Sequence, residues 1–348
     1  MASMLRINAL TSAGLVLAYL LLGPVAQGWA QTDPPPAPDW VPQGLVEQFP
    51  LTDWSRHTPE LGEIRSGGPD RDGVPAIDAP VFAPAVQVRA IRDQEPVIGV
   101  VSSQPGGPAK AYPLMLMIWH GVVNDVFGDQ QILVSFDPLT GTASVRDPVV
   151  EGEPLVFGVT GTLRVANMML YDRTTESWWQ QATGQGVIGT HMGAEMPLLP
   201  FRLESFGEFK QRAPDGLVMV PENPRAMKYG ENPYWGLDRE RRPKFYDGPV
   251  PDDIAAMERV VVVPRQGQAP LMLPLSAIAD RAPWPLPGGL VANFLPNQVS
   301  ALDAPRIAFS RTIGGAVITD GAGQDLPAQT LFAFAAAVFF PDAEKIGF

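Results

Sequence analysis

The chain has 348 residues, a formal net charge of −12 and no cysteine. Its 38 prolines and 34 glycines exclude a helical bundle or coiled coil, neither of which tolerates so many helix breakers. The missing cysteines exclude disulfides, a thiol nucleophile and thiolate-held zinc or iron–sulfur clusters, and the acidic balance excludes a nucleic-acid partner, which requires a basic face. Hydrophobic residues make up 45% of the chain, enough for a buried core. Three histidines, His57, His120 and His191, leave little room for a multi-histidine metal site.

The N-terminus reads as an export signal. Arg6 is its first charge, an apolar run covers Ala9 to Leu22, and Gly28-Trp29-Ala30 places small residues at the positions a signal peptidase requires. Residues 1–30 are expected to be removed. The apolar run is shorter than the ~20 residues that cross a bilayer and is followed by Pro24, so anchoring is the weaker alternative. A Pro-rich linker is expected over 31–50, opening Gln31-Thr32-Asp33-Pro34-Pro35-Pro36, and one main domain over 51–348. After cleavage no membrane span remains, which predicts a periplasmic or secreted protein.

Beyond the linker, apolar alternation and β-branched runs predict strands at Val97–Val101, Gln131–Phe136, Leu155–Val159, Met168–Tyr171 and Leu217–Val220. Further strands are predicted at Arg259–Val263, Leu290–Phe294, Arg306–Phe309 and Ala316–Thr319. Helices are few and short. One starts at Pro113 and reaches His120, apolar all round and therefore buried. Others are predicted over Leu203–Arg212 and Leu326–Phe339. The expected class is α+β, a strand-rich single domain with short buried helices. Glu95-Pro96-Val97-Ile98-Gly99-Val100 followed by Tyr112-Pro113-Leu114 is echoed by Glu258-Arg259-Val260-Val261-Val262-Val263 followed by Leu273-Pro274-Leu275. The echo suggests internal duplication of a strand–helix unit, in halves 89–215 and 250–345, with coincidence in a proline-rich chain as the alternative.

Polar residues able to carry chemistry concentrate in three segments: Trp119-His120-Gly121-Val122-Val123-Asn124-Asp125, Asp137-Pro138-Leu139-Thr140, and Tyr171-Asp172-Arg173-Thr174-Thr175-Glu176-Ser177-Trp178-Trp179-Gln180. These segments, with Gly67-Gly68-Pro69-Asp70-Arg71-Asp72-Gly73, Ala109-Lys110-Ala111-Tyr112-Pro113-Leu114, Gly184, Gly189, Asn232-Pro233-Tyr234 and the closing Phe332 to Asp342, resemble the bacterial family called domain of unknown function 3179. The resemblance covers roughly Leu51 to the end. It implies an exported protein and names no activity. Many members carry Cys-Pro-Leu-Cys where this chain has Asp137-Pro138-Leu139-Thr140, and a glutamate where it has Gly121. Any thiol chemistry of the family is therefore impossible here.

The candidate ligand-binding residues are His120, Asn124, Asp125, Asp137, Thr140, Tyr171, Asp172, Arg173, Glu176, Trp178 and Gln180. Each has a structural alternative: a core histidine on a carbonyl, an aspartate capping its own β-turn at Asp137, an Arg–carboxylate pair fixing a turn at Asp172-Arg173-Glu176, and core packing for the tryptophans. No cofactor is predicted. His120 with Asp137 would suit a hard divalent metal, but two ligands make no firm metal site. No Gly-x-Ser-x-Gly, His-Glu-x-x-His, Walker or Gly-x-Gly-x-x-Gly motif accompanies them.

The leading functional expectation is a ligand-binding or accessory protein with a polar–aromatic cleft, its partner a small molecule or an envelope protein. The alternatives are a hydrolase or lyase using His120 and a carboxylate as general acid and base, and a structural subunit of an envelope complex. His120, Asp137 and Arg173 are expected to converge within ~10 Å on one pocket, because each stands at the end of a helix or strand. N-terminal sequencing of the periplasmic protein is expected to begin at Gln31; an intact Met1 on a membrane-bound product would refute export with cleavage.

Overall fold

The computed structural model describes residues 34–39, 41–58, 64–102 and 106–348. The leader, 1–30, and the first three linker residues lie outside the described residues. A five-stranded antiparallel sheet runs Arg65–Ser66, Phe157–Arg164, Asn167–Asp172, Trp178–Gln180, Gly186–Ile188. A second, of mixed sense, runs Arg202–Ser205, Pro96–Val101, Ala109–Pro113, Leu217–Val220, Val81–Pro84. A four-stranded sheet runs Gln329–Phe332, Arg259–Arg265, Gln268–Pro274, Glu344–Lys345. Two three-stranded meanders follow, Val122–Phe127, Gln130–Asp137, Thr142–Arg146, and Trp284–Leu286, Leu290–Leu295, Gly315–Thr319, beside a two-stranded ribbon of Val149–Val150 and Glu153–Pro154.

These five small sheets are arranged as a five-bladed β-propeller with only a few short helices, which corrects the α+β single-domain expectation. Among the described residues the α-helices are α1 (Gln43–Gln48), α2 (Leu114–His120), α3 (Phe206–Arg212), α4 (Leu275–Arg281) and α5 (Ala333–Phe339), none longer than seven residues. Helices this short are unstable alone. From α2 to α5 each begins at the residue after a strand ends and packs back on that strand's own sheet. α2 and α4 follow hairpins, and α3 and α5 follow edge strands. The strand predicted at Arg306–Phe309 is instead a 3-10 turn, Ile307–Phe309, and the long predicted helix 326–339 divides into the strand Gln329–Phe332 and α5.

The two echoed sequence segments occupy matching places. Each forms an antiparallel hairpin (Pro96–Val101 with Ala109–Pro113, and Arg259–Arg265 with Gln268–Pro274) that runs directly into α2 or α4. The second strand of each hairpin takes a parallel partner, Leu217–Val220 in one sheet and Glu344–Lys345 in the other. The main core joins these parts through Ile98, Tyr112, Met117, Val134, Phe157, Val260, Phe332 and Phe334 among others.

A smaller core holds the segment read as linker. Within 31–50, α1 forms, and Phe49 is wholly buried with its ring edge-on to Tyr171 at 5.2 Å and Trp178 at 4.9 Å. The Arg71 guanidinium stacks 4.8 Å from the Phe49 ring centroid and 4.4 Å from that of Tyr171. It donates to Glu176 Oε1 at 2.6 Å, while Leu51 N donates to Glu176 Oε2 at 2.8 Å and Thr52 Oγ1 to the Glu176 carbonyl at 2.7 Å. Glu176 is thus the buried acceptor that fastens residues 48–52 to the 171–180 hairpin. Glu176→Gln is expected to cost about 1–3 kcal/mol and to speed amide exchange selectively in residues 41–54; uniform exchange rates across the two proteins would remove this role.

Candidate functional site

Asp137 ends the strand Gln130–Asp137 and is 2% exposed. Its Oδ1 accepts from Thr140 N at 2.7 Å and Thr140 Oγ1 at 2.8 Å, closing the turn, and its Oδ2 accepts from Met168 N at 2.9 Å, tying the first meander to the neighbouring blade. Thr140 starts a buried polar network. Its Oγ1 pairs with Thr142 Oγ1 at 2.8 Å and accepts from Asn167 Nδ2 at 2.9 Å. Asn167 Nδ2 also reaches Gln181 Oε1, and Gln181 Nε2 donates to Ser135 Oγ at 2.9 Å. Gln180 Nε2 donates to Asn167 Oδ1 at 2.6 Å. In a dry interior such a chain is sound only because its members satisfy one another.

Asp137 also lines a cavity of about 100 Å³ whose walls are mostly apolar, including Met117, Ile118, Val159, Met168 and Tyr234. Neither His120 nor Arg173 lines it, so the expected three-residue convergence is not what the walls contain. Burial pushes the Asp137 carboxyl up to about 6 from an ordinary 3.8, against the opposing hydrogen bonds from Thr140 and Met168.

The other predicted residues divide into structural groups. Asp172 is fully buried and accepts from Thr174 N, Thr175 N, Thr175 Oγ1 and Trp179 Nε1, which makes it the cap of its own turn. Arg173 points away from it and pairs with Asp78 at 2.6 Å; Asp78 also accepts from Asn124 Nδ2. Asn124 bridges to the next blade as well, exchanging two 2.9 Å bonds with the backbone of Phe157. Asp125 receives Lys110 Nζ and Tyr112 Oη, each at 2.7 Å. Trp178 is core, packed between Phe49 and Trp54, and offers no stacking wall. Tyr171 belongs to the Arg71 stack.

His120 closes α2, whose chain then turns at Gly121 with φ +71, a region open to glycine and costly for the glutamate expected at this place. The His120 ring is held at both nitrogens: Nδ1 lies 2.9 Å from the Pro75 carbonyl and Nε2 2.8 Å from Tyr229 Oη. A carbonyl only accepts, so Nδ1 carries the proton, and in the neutral ring Nε2 accepts from the Tyr229 hydroxyl. The two rings stack at 5.8 Å with an interplanar angle of 26°. Burial raises the Tyr229 pKa, keeping the group a phenol at neutral pH.

Tyr229 stands in the wall of a cleft of about 440 Å³, with Met115 of α2, Glu95, Arg92, Arg306 and Phe309. That volume falls within the ~300–1,000 Å³ usual for small-molecule sites. Glu95 is 4% exposed and accepts one hydrogen bond, from Arg92 N at 2.8 Å; burial pushes its carboxyl up. Arg92 lies 4.6 Å from the centroid of Phe309, a ring 61% exposed at the cleft. Sequence reasoning identified His120 and missed Tyr229, Glu95, Arg92 and Arg306, which lie on turns where no periodicity marks them. Asn167 and Gln181 carried a fainter signal, as polar residues inside otherwise apolar stretches.

The profile of the family described as "Protein of unknown function (DUF3179)" matches residues 71–343. The chain belongs to the DUF3179 family. No curated protein and no solved structure matches it. In this DUF3179 chain the Asp137–Thr140 pair is a self-satisfied turn, and among the described residues no group of three or more His, Cys, Asp or Glu side chains gathers to hold a metal.

Because the folded protein favours the protonated Asp137, its contribution to stability is full below the ordinary value of 3.8 and is lost as pH rises to about 6. The difference amounts to about 3 kcal/mol. Urea unfolding between pH 3.5 and 7 is therefore expected to show the native protein losing stability relative to Asp137→Asn as pH rises; parallel curves would contradict the buried, cation-free carboxyl.

Proposed function

We propose that the protein is an exported binding protein that holds a small solute in the cleft beside Tyr229, and that His120 positions this tyrosine without acting as a general base. The carrying observation is the chain Pro75 carbonyl–His120–Tyr229, in which both ring nitrogens are engaged and the tyrosine is turned to the cleft wall. A histidine acting as base needs a free nitrogen within reach of the substrate proton. His120 has none in this arrangement, and the carboxylates suggested as its partners, Asp125 and Asp137, are bonded elsewhere. Ser177, the nearest approach to a nucleophile in the sequence, shares its hydroxyl with Thr175 and accepts from His191 N. A site with a pre-oriented phenol, charged groups of both signs and an apolar floor supports binding better than hydrolysis.

Thermal-shift measurements on the purified protein against a panel of carboxylates, amines, amino acids and sugars test this reading. At least one class is expected to raise the Tm in a dose-dependent way, and Tyr229→Phe is expected to weaken that response about tenfold, the worth of one buried hydrogen bond. No response to any class, or an unchanged response in Tyr229→Phe, would overturn it.

A further inference from the structure

The cleft is lined by charges of both signs. Glu95 is nearly inaccessible; its carboxyl accepts the Arg92 backbone N–H and feels the charge of the Arg92 guanidinium, but no cation sits in contact with it among the described residues. Arg92 and Arg306, both exposed, line the same cleft, and among the described residues neither is in a contact ion pair; Arg92 lies over Phe309. Lys228 and Glu231 at the rim offset each other at 3.7 Å. What remains is one buried anion and two cations around an apolar surface of Met115, Met227, Ala308 and Phe309.

Each ligand class can be weighed against this layout. A simple anion such as phosphate or a dicarboxylate would gain the arginines but face the Glu95 carboxyl with no donor to offer it. A simple amine would pair with Glu95 and leave the arginines facing its apolar body. A neutral sugar would leave all three charges without a partner. A molecule carrying an ammonium and a carboxylate on a small apolar body satisfies every group: three ammonium donors for Glu95, and two carboxylate oxygens for guanidiniums whose fork matches them. The volume of about 440 Å³ admits an amino acid with a branched or thioether side chain.

We infer that the cleft binds an apolar zwitterion of the α-amino-acid type, with its ammonium on Glu95, its carboxylate between Arg92 and Arg306, and its side chain over Met115 and Met227. This rests on the reading of the cleft as a solute site and specifies what that site takes. The Tyr229 oxygen keeps its lone pairs while it donates to His120, so it is a second acceptor for the ammonium.

Calorimetric titration of the full mature protein distinguishes the two levels of the claim. The probes are L-leucine, L-methionine and L-phenylalanine, with 3-methylbutylamine, which lacks leucine's carboxylate, and 4-methylpentanoate, which lacks its ammonium. At least one amino acid is expected to bind saturably. Where it is leucine, each truncated analogue is expected to bind at least tenfold more weakly. Arg306→Ala, at an exposed position, is expected to weaken amino-acid binding at least tenfold and leave 3-methylbutylamine unaffected. Glu95→Gln is expected to weaken amino-acid binding and leave 4-methylpentanoate unaffected. Equal binding of leucine and its analogues, or unchanged binding in both variants, overturns the zwitterion assignment. So does binding of another panel solute, sensitive to Tyr229→Phe, with none of the amino acids bound; in that case the cleft remains a solute site. Binding by nothing in either panel overturns both.

Discussion

The middle of this molecule depends on a carboxyl buried without a cation. Asp137 can sit at 2% exposure only because three donors converge on it, two from Thr140 in its own turn and one from Met168 in the next blade. An aspartate deprived of these would meet the full desolvation penalty. The same three bonds fix the end of the strand Gln130–Asp137 relative to Asn167–Asp172, and so orient Thr140 toward Asn167 and start the polar network that continues through Gln181 to Ser135. A residue whose structural role is this complete has little capacity left to handle a ligand. Asp137 is an anchor between sheets.

That division of labour leaves the chemistry to His120, the last residue of α2. His120 is the last residue of a helix buried by Leu114, Leu116, Met117 and Ile118, so its backbone is rigid; its ring is then fixed by the Pro75 carbonyl on one side and Tyr229 on the other. A ring bound at both nitrogens is poorly suited to moving protons and well suited to setting a tautomer, the role that outer partners commonly give a histidine. The consequence is felt one side chain further out, where Tyr229 presents a defined hydroxyl to a cleft lined by Glu95, Arg92 and Arg306.

Local signals in the sequence carried much of the secondary structure. The β-branched run at 259–263 and the alternation at 290–294 became strands because side-chain shape and burial agree there, and α2 formed where an apolar run had a proline to start it. The arrangement of those elements was not legible. A seven-residue helix that caps a hairpin and one that contributes to a layer have the same sequence pattern, so the α+β class followed naturally and the blades did not. At the site, Asp137 as a turn cap and Asp172 with its turn could be read from neighbours three residues away. The partners of Glu176 and His120 could not: Arg71 lies 105 residues from the one and Tyr229 109 residues from the other, on turns that only the assembled sheets bring together.

The state of the His120 ring is the most direct test of this account, because everything said of the cleft follows from that ring being fixed. Nitrogen-15 NMR of the histidine ring at pH 8, assigned with a His120→Gln control, is expected to show a single neutral tautomer with the proton on Nδ1 and an acceptor-type Nε2, and to show Nε2 changing when Tyr229→Phe removes its donor. A proton on Nε2, or a ring averaging between tautomers, would contradict a positioning role and return His120 to the set of candidate bases.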